Sequence, residues 1–276
     1  VEKNTMHTGL THSIRRATAI CLLLGAPVGA MAATCGNDAS GFARWQQEFA
    51  AEAAAAGIGP AGLQALAATT YATRTISADR NQRSFSYSLE EFMRVRGADT
   101  IVRQGRQRIA ANPAFYDSLE RAYGVPAAVI VAIHGMETGF GNFMGDANVL
   151  SAIATLAYDC RRSAFFSEHA LAALTLVDRG TISPNAIGAM HGELGHTQFL
   201  PGNVLRYGVD GNGDRRIDLN NLTDALASTA NFLRQNGWRP GQGYQEGQRN
   251  FRAIQAWNAA PVYQRAIAIM ASQIEG

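Results

Sequence analysis

Lysine is almost missing from this sequence: of the 24 basic residues only Lys3 is not arginine. Charged residues make up 17% of the chain and nearly cancel, for a formal net charge of +2. No basic run stands out, so there is no electrostatic footprint for nucleic acid or an anionic membrane surface. There is no H-E-x-x-H pair, phosphate loop, dinucleotide fingerprint or G-x-S-x-G elbow. That removes the plainest metalloprotease, nucleotide-binding and serine-hydrolase readings. Strand alternation is lacking too, apart from a short pair near 207–219. No internal repeat or long linker divides the chain, and apolar residues recur at helical spacing.

Cysteine is scarce as well: Cys21, Cys35 and Cys160. The first lies in a segment that reads as an export signal. Arg15 and Arg16 precede an apolar run from Ala17 to Ala30, and Ala30-Met31-Ala32 offers a small-x-small cleavage site after Ala32. The run is too short and too interrupted for a membrane span. Cys21 and Cys35 follow Ile and Thr rather than a small residue, so no lipid anchor is expected. We therefore expect residues 1–32 to be leader and signal peptide, and 33–276 a mature periplasmic chain. Losing Glu2, Lys3, Arg15 and Arg16 takes the formal charge from +2 to zero. Cys35 and Cys160 then either form one disulfide or remain as two buried thiols.

Helices are expected over 41–56, 61–68, 87–96, 98–111, from Pro113 into Arg121, 150–158, 165–177, 224–235, roughly 245–256, and 261–274. A short segment runs from Pro201 to Tyr207. Residues 71–85, with Arg74, Arg80 and Arg83, read as a polar loop, and 180–197 as glycine-rich and irregular. The fold class is mainly α.

The chain is organised around Tyr123–Gly141, Y-G-V-P-A-A-V-I-V-A-I-H-G-M-E-T-G-F-G. Pro126 suits a helix start. Residues 127–136 are apolar on every face except for His134, which predicts a buried helix. Glu137, near its end, is costly to ionise there unless paired, and a carboxyl kept protonated near neutral pH is what a general acid needs. Glycosidases normally flank the bond with two carboxylates. No second one has a claim from spacing, although Glu193 and Asp159 are available. A single acid suits chemistry in which an N-acetyl group of the substrate replaces the nucleophile.

These segments resemble the lytic murein transglycosylase B family, family 103 of the glycoside hydrolases. The likeness runs from Y-G-V-P…E-T-G-F-G through L-S-A-I-A-T-L-A-Y-D, R-R-S-A-F-F, G-E-L-G-H-T-Q-F-L-P at 192–201 and D-A-L-A-S-T-A-N-F-L at 224–233. It closes with G-W at 237–238 and W-N-A-A-P-V-Y at 257–263. The resemblance implies a lysozyme-like core, centred on about 113–276, with an additional helical lobe and a small EF-hand-like loop. It implies cleavage of the N-acetylmuramic acid to N-acetylglucosamine bond of peptidoglycan, leaving a 1,6-anhydro sugar, with no cofactor needed for the chemistry. Glu137 matches the family's catalytic acid. Gln198, Trp257, Asn258 and Tyr263 match residues of the sugar cleft, and Phe232 stands where an aromatic hydroxyl can occur. Arg161 and Arg162 match a pair suited to carboxylates of the peptide stem. The chain departs from the pattern at Ala189-Met190-His191, where the family often has Ser-aromatic-Ala. Expected partners are glycan strands, without nucleic acid or membrane anchor, and a monomer is expected.

A further stretch, D-G-N-G-D-R-R-I-D-L-N-N at 210–221, resembles a calcium loop. Asp210, Asn212, Asp214 and Asp218 hold ligand positions, Arg216 would offer its backbone carbonyl, and Asp224 a carboxylate just beyond. Arg215 replaces the usual glycine and Asn221 the usual glutamate. An ordinary Asx-rich turn without metal is the alternative. His134 reads as a core or supporting group, and His191 and His196 lie in the glycine-rich loop without a fixed partner. Two other functions fit the same residues: a muramidase that lets water attack, and a non-catalytic peptidoglycan- or calcium-binding protein.

Overall fold

The computed structural model describes residues 32–81 and 87–276, among which lie thirteen α-helices and one short antiparallel strand pair. The leader and signal-peptide reading of 1–32 falls outside the described residues, apart from Ala32, as does Arg83. In chain order the helices are α1 (Phe42–Ala55), α2 (Pro60–Ala67), α3 (Thr73–Arg80), α4 (Leu89–Arg96), α5 (Ala98–Ala111) and α6 (Pro113–Tyr123). Then come α7 (Ala127–Thr138), α8 (Val149–Tyr158), α9 (Ser163–Asp178), α10 (Pro201–Tyr207), α11 (Leu222–Gln235), α12 (Phe251–Trp257) and α13 (Pro261–Glu275). Strand β1 (Ala147–Asn148) pairs antiparallel with β2 (Ile187–Gly188).

Helix α7 has no polar stripe, and it has no solvent face. Every residue of it but Glu137 is buried. Helices α5, α6, α11 and α13 pack around it. Val129, Ile130, Val131 and Ile133 are fully buried. Each such side chain contributes roughly 1.5–3 kcal/mol of transfer free energy, which is why an apolar helix seeks the centre rather than the surface. A second group of helices, α1, α2, α8, α9 and α10, packs beside it, with α8 lying along α9. Under α1 the rings of Phe42, Trp45, Phe49, Tyr71 and Tyr158 meet in edge and stacked contacts. Cys35 and Cys160 are joined, which ties the segment before α1 to the end of α8.

Three local expectations need correction. Residues 73–80 are helical, not loop. The segment is polar, so propensity and pattern say little, but Thr75, Ile76 and Asp79 turn inward from α3. Buried Asp79 pairs with both Arg161 and Arg162, and Arg80 pairs with Asp159 at 2.8 Å. Arg161 and Arg162 thus share one buried carboxylate while their own side chains stay partly exposed. The strand pair near 207–219 does not form; strands occur instead at 147–148 and 187–188. Finally, the helix expected from about 245 begins at Phe251. The fully buried Asn250 accepts the N–H of Arg239 and donates to the carbonyls of Arg239 and Gln242, which holds 239–250 as a loop.

Asp79→Ala would leave Arg161 and Arg162 facing an emptied buried site. We expect a loss of roughly 2–3 kcal/mol in urea unfolding, below the full cost of breaking a buried pair because both guanidinium groups are partly solvated. Arg161→Ala alone should cost less, since Arg162 remains.

Candidate active site

Glu137 stands at the next-to-last position of α7, partly exposed to a cavity of about 220 Å³. The helix stops at once because Gly139 adopts a left-handed conformation, φ 56°, and Phe140 follows with φ 64°. For Phe140 this is a strained conformation. Its ring is held against His134 at 5.3 Å and under the Arg108 guanidinium at 4.3 Å.

Two donors reach the acid from the far end of the sequence. The indole N–H of Trp257, at the end of α12, donates to Oε1 of Glu137 at 2.8 Å. The hydroxyl of Tyr263, in the first turn of α13, is its other hydrogen-bond partner. The turn between the two helices sets this convergence, and Asn258 holds it. Oδ1 of Asn258 accepts the N–H of Ala260 at 2.9 Å, and its carbonyl accepts the side-chain amide of Gln264 at 2.7 Å.

Burial is the strongest influence on Glu137 and pushes its pKa up from an ordinary 4.5 to about 7. The hydrogen bonds from Trp257 and Tyr263 and the charge of Arg96 favour the carboxylate, while Glu193 adds a push against ionisation. Desolvation wins, so the group is poised between acid and base near neutral pH. Arg96 belongs to the site from behind, its guanidinium over the Tyr263 ring at 5.7 Å and the Phe92 ring at 5.4 Å. Sequence spacing carried no sign of it.

The loop from 188 to 199 forms one wall. Gly195, φ 69°, lies so close to the backbone of Leu219 that a Cβ there would meet its carbonyl oxygen. Gln198 is itself left-handed, φ 55°, and its side-chain amide donates to the carbonyl of Gly195 at 2.8 Å. Backbone strain at a cleft residue is tolerated when the surroundings over-determine it, which is common where side-chain placement matters.

The same cavity brings together Glu137, Gln198, Phe232, Trp257 and Asn258. Phe232 meets Trp257 edge-on at 5.1 Å, and Phe199 meets Trp257 at 5.3 Å. Glu193 and Asn203 line the cavity as well and had no clear claim from spacing. For Glu193 the only sign was its place in G-E-L-G. A larger cavity of about 660 Å³, between 179–187 and 215–220, holds none of the residues around Glu137.

The histidines find partners. Nε2 of His134 lies 3.1 Å from Nδ1 of His196, and burial depresses the His134 pKa to about 3, which keeps it neutral. His191 faces Glu193, with ring Nδ1 3.3 Å from Oε1.

The 210–221 loop does not gather its carboxylates. Asp210 accepts backbone N–H groups from Gly213 and Arg215, each at 2.6 Å, and Asp214 accepts from Arg216 at 2.8 Å. Asp218 accepts from Asn220 at 2.9 Å. Asp224, fully buried, accepts from Gly211, Asn212 and Asp218. Asn221 caps α11. Among the described residues no group of three or more His, Cys, Asp or Glu is brought together to hold a metal. Of the set expected on Asp210, Asn212, Asp214, Arg216, Asp218 and Asp224, the five side chains other than Arg216 each accept a backbone N–H group here.

Comparison with known proteins bears on this geometry. Residues 41–247 match the model of the transglycosylase SLT domain. The chain is 38% identical over 132 residues to membrane-bound lytic murein transglycosylase B of Escherichia coli, a match covering 46% of this chain and 37% of that protein. The matched part is therefore little more than a third of that relative's length. Among solved structures, SltB3 from Pseudomonas aeruginosa, in complex with NAG-anhNAM-pentapeptide, superposes with a TM-score of 0.78 at 28% identity, over 85% of this chain and 80% of that one. Escherichia coli Slt35 in complex with calcium superposes with a TM-score of 0.72 at 21% identity, over 88% and 96% of the two chains. Its likeness bears on the fold.

The raised pKa of Glu137 has a consequence for stability. Because the folded-state value of about 7 lies above the ordinary 4.5, ionising this group costs the folded state more than the unfolded one. The penalty is absent below about pH 4.5 and complete above about pH 7. Glu137→Gln should therefore be more stable than wild type at pH 8, by at most roughly 3 kcal/mol, and melt at a higher temperature. The difference should disappear at pH 4, as measured by calorimetry.

Proposed function

The chain belongs to the transglycosylase SLT family, and on that premise we propose that it is a peptidoglycan lytic transglycosylase with Glu137 as its single acid and base. The observation that carries this reading is a half-buried carboxyl whose desolvation raises its pKa to about 7, facing a cavity beside Gln198, Phe232, Trp257 and Asn258.

The substrate is the β-1,4 bond from N-acetylmuramic acid to N-acetylglucosamine. Protonated Glu137 gives its proton to the bridging oxygen as the C1–O bond breaks, and the acetamido oxygen of the muramyl residue bonds to C1. Glu137, now a carboxylate, takes the proton of the muramyl 6-hydroxyl. O6 then displaces the acetamido oxygen at C1 and closes the 1,6-anhydro ring. One proton leaves Glu137 and one returns, so no water is consumed. Trp257 and Tyr263 serve both halves of the cycle: their hydrogen bonds keep the carboxylate from becoming too strong a base to release its proton again. The cavity offers aromatic edges and amides suited to a pyranose ring with hydroxyl and acetamido groups. SltB3, whose complex contains an anhydro sugar, supports this product class.

A periplasmic location belongs to the same proposal. It is supported by the export-signal pattern over residues 6–32 and by where peptidoglycan lies. Among the described residues no helix is long and apolar enough to cross a membrane.

Purified peptidoglycan digested with the protein and with Glu137→Gln, followed by mass spectrometry of the muropeptides, tests this directly. We expect 1,6-anhydro ends with wild type, a loss of activity of roughly 10²–10⁴-fold in the variant, and a rate that declines as pH rises through about 7. Reducing ends would mean a hydrolytic muramidase. Sugar binding without products would mean a non-catalytic binder.

A further inference from the structure

Glu193 is the second carboxylate of the Glu137 cavity, and its support is unusual for a wall residue. Oε2 accepts the backbone N–H of His191 at 3.0 Å, while Oε1 faces the ring Nδ1 of the same residue at 3.3 Å. The other ring nitrogen, Nε2, lies 3.9 Å from Oδ1 of Asp79. Asp79 is buried and pinned by Arg161 and Arg162. A line of polar groups thus runs from a fixed ion cluster on α3, through an imidazole, to a carboxylate at the cleft. The backbone N–H and the ring of His191 together face both oxygens of Glu193 and so orient it, while Asp79 lies beyond hydrogen-bond reach of the ring.

The placement has a cost. A negative charge beside Glu137 makes ionising that acid harder, and a neutral side chain would close the loop without repulsion. The cost is offset if positive charge appears in the cavity during the reaction. Cleavage assisted by the acetamido group supplies it, on C1 and then on the cyclised amide. A carboxylate has more acceptor sites than His191 occupies, and Glu193 is partly exposed to the cavity.

We propose that Glu193 is a substrate-facing carboxylate that accepts the acetamido N–H of the muramyl residue and balances the charge of the cyclised intermediate, with His191 as the residue that positions it. Glu193 gives up and takes no proton; the bonds made and broken are those already set out. The inference rests on the lytic transglycosylase reading. It also gives a role to the Ala189-Met190-His191 segment: the hydroxyl lost at 189 is replaced by a carboxylate fixed from 191.

The test compares wild type, Glu193→Gln and His191→Ala, with thermal melting to establish folding. Anhydro-muropeptide release is followed from pH 5 to 9, and the Glu137 carboxyl is titrated by ¹³C NMR. The charged and titratable groups around Glu137 are Arg96 from α4, Tyr263 from α13 and Glu193 from the loop. Removing the Glu193 charge should therefore lower the Glu137 midpoint and move the alkaline limb of the rate profile to lower pH. For Glu193→Gln we expect kcat to fall at least about tenfold with KM within about threefold, as for loss of a group that acts on developing charge. His191→Ala should move kcat the same way by a smaller factor, and it decides the matter if Glu193→Gln does not fold. A folded Glu193→Gln with wild-type kcat and an unmoved alkaline limb overturns the role of Glu193 alone. Absence of anhydro products from wild type overturns the functional reading beneath it.

Discussion

Everything at the site depends on removing one carboxyl from water. Helix α7 does this by being apolar on all sides and surrounded by other helices, so that its last residues meet bulk water only through a small cavity. The protein then moderates what burial alone would do. Two hydrogen bonds, from Trp257 and Tyr263, return part of the solvation that Glu137 has lost, and Arg96 acts at longer range. The balance leaves a group able both to give and to take a proton, which a one-carboxylate mechanism requires.

The cavity around that acid is built from backbone as much as from side chains. On one side the chain doubles back between 188 and 199, with Gly195 in close approach to Leu219 and Gln198 held left-handed. On the other, the break between α12 and α13 points Trp257 and Tyr263 the same way. The first wall is irregular backbone, and the second is the end of α12 and the start of α13. The strained Phe140 and Gln198 both border the site, where packing over-determines the backbone.

The ion cluster around Asp79 links the remaining helices to this wall. It draws the polar segment 73–80 into a helix, fixes the start of α9 through Arg162, and reaches the cleft through His191. The Cys35–Cys160 link and the Arg80–Asp159 pair act on the neighbouring turn at the end of α8. Stability and site geometry therefore share residues, as expected where a loop must be held to fractions of an ångström.

The sequence by itself determined the helical class, most helix positions and the place of one carboxylate at the end of the most apolar helix. Each of these is local: apolar spacing, a proline start, a glycine stop, and one carboxylate on an otherwise apolar segment. Motifs in family order brought Gln198, Trp257 and Asn258 to notice, and spacing alone would not have done so. Only the tertiary structure decided what partners the charged groups take. Arg161 and Arg162 turned to Asp79, residues 73–80 became a helix, and the 210–221 carboxylates turned to backbone N–H groups. It also decided how high the pKa of Glu137 stands, because the donors that moderate it lie 120 residues and more along the chain. The stretch Tyr123–Gly141 thus specified a carboxyl that burial would make costly to ionise. Electrostatics acts through space, and only folding states those distances.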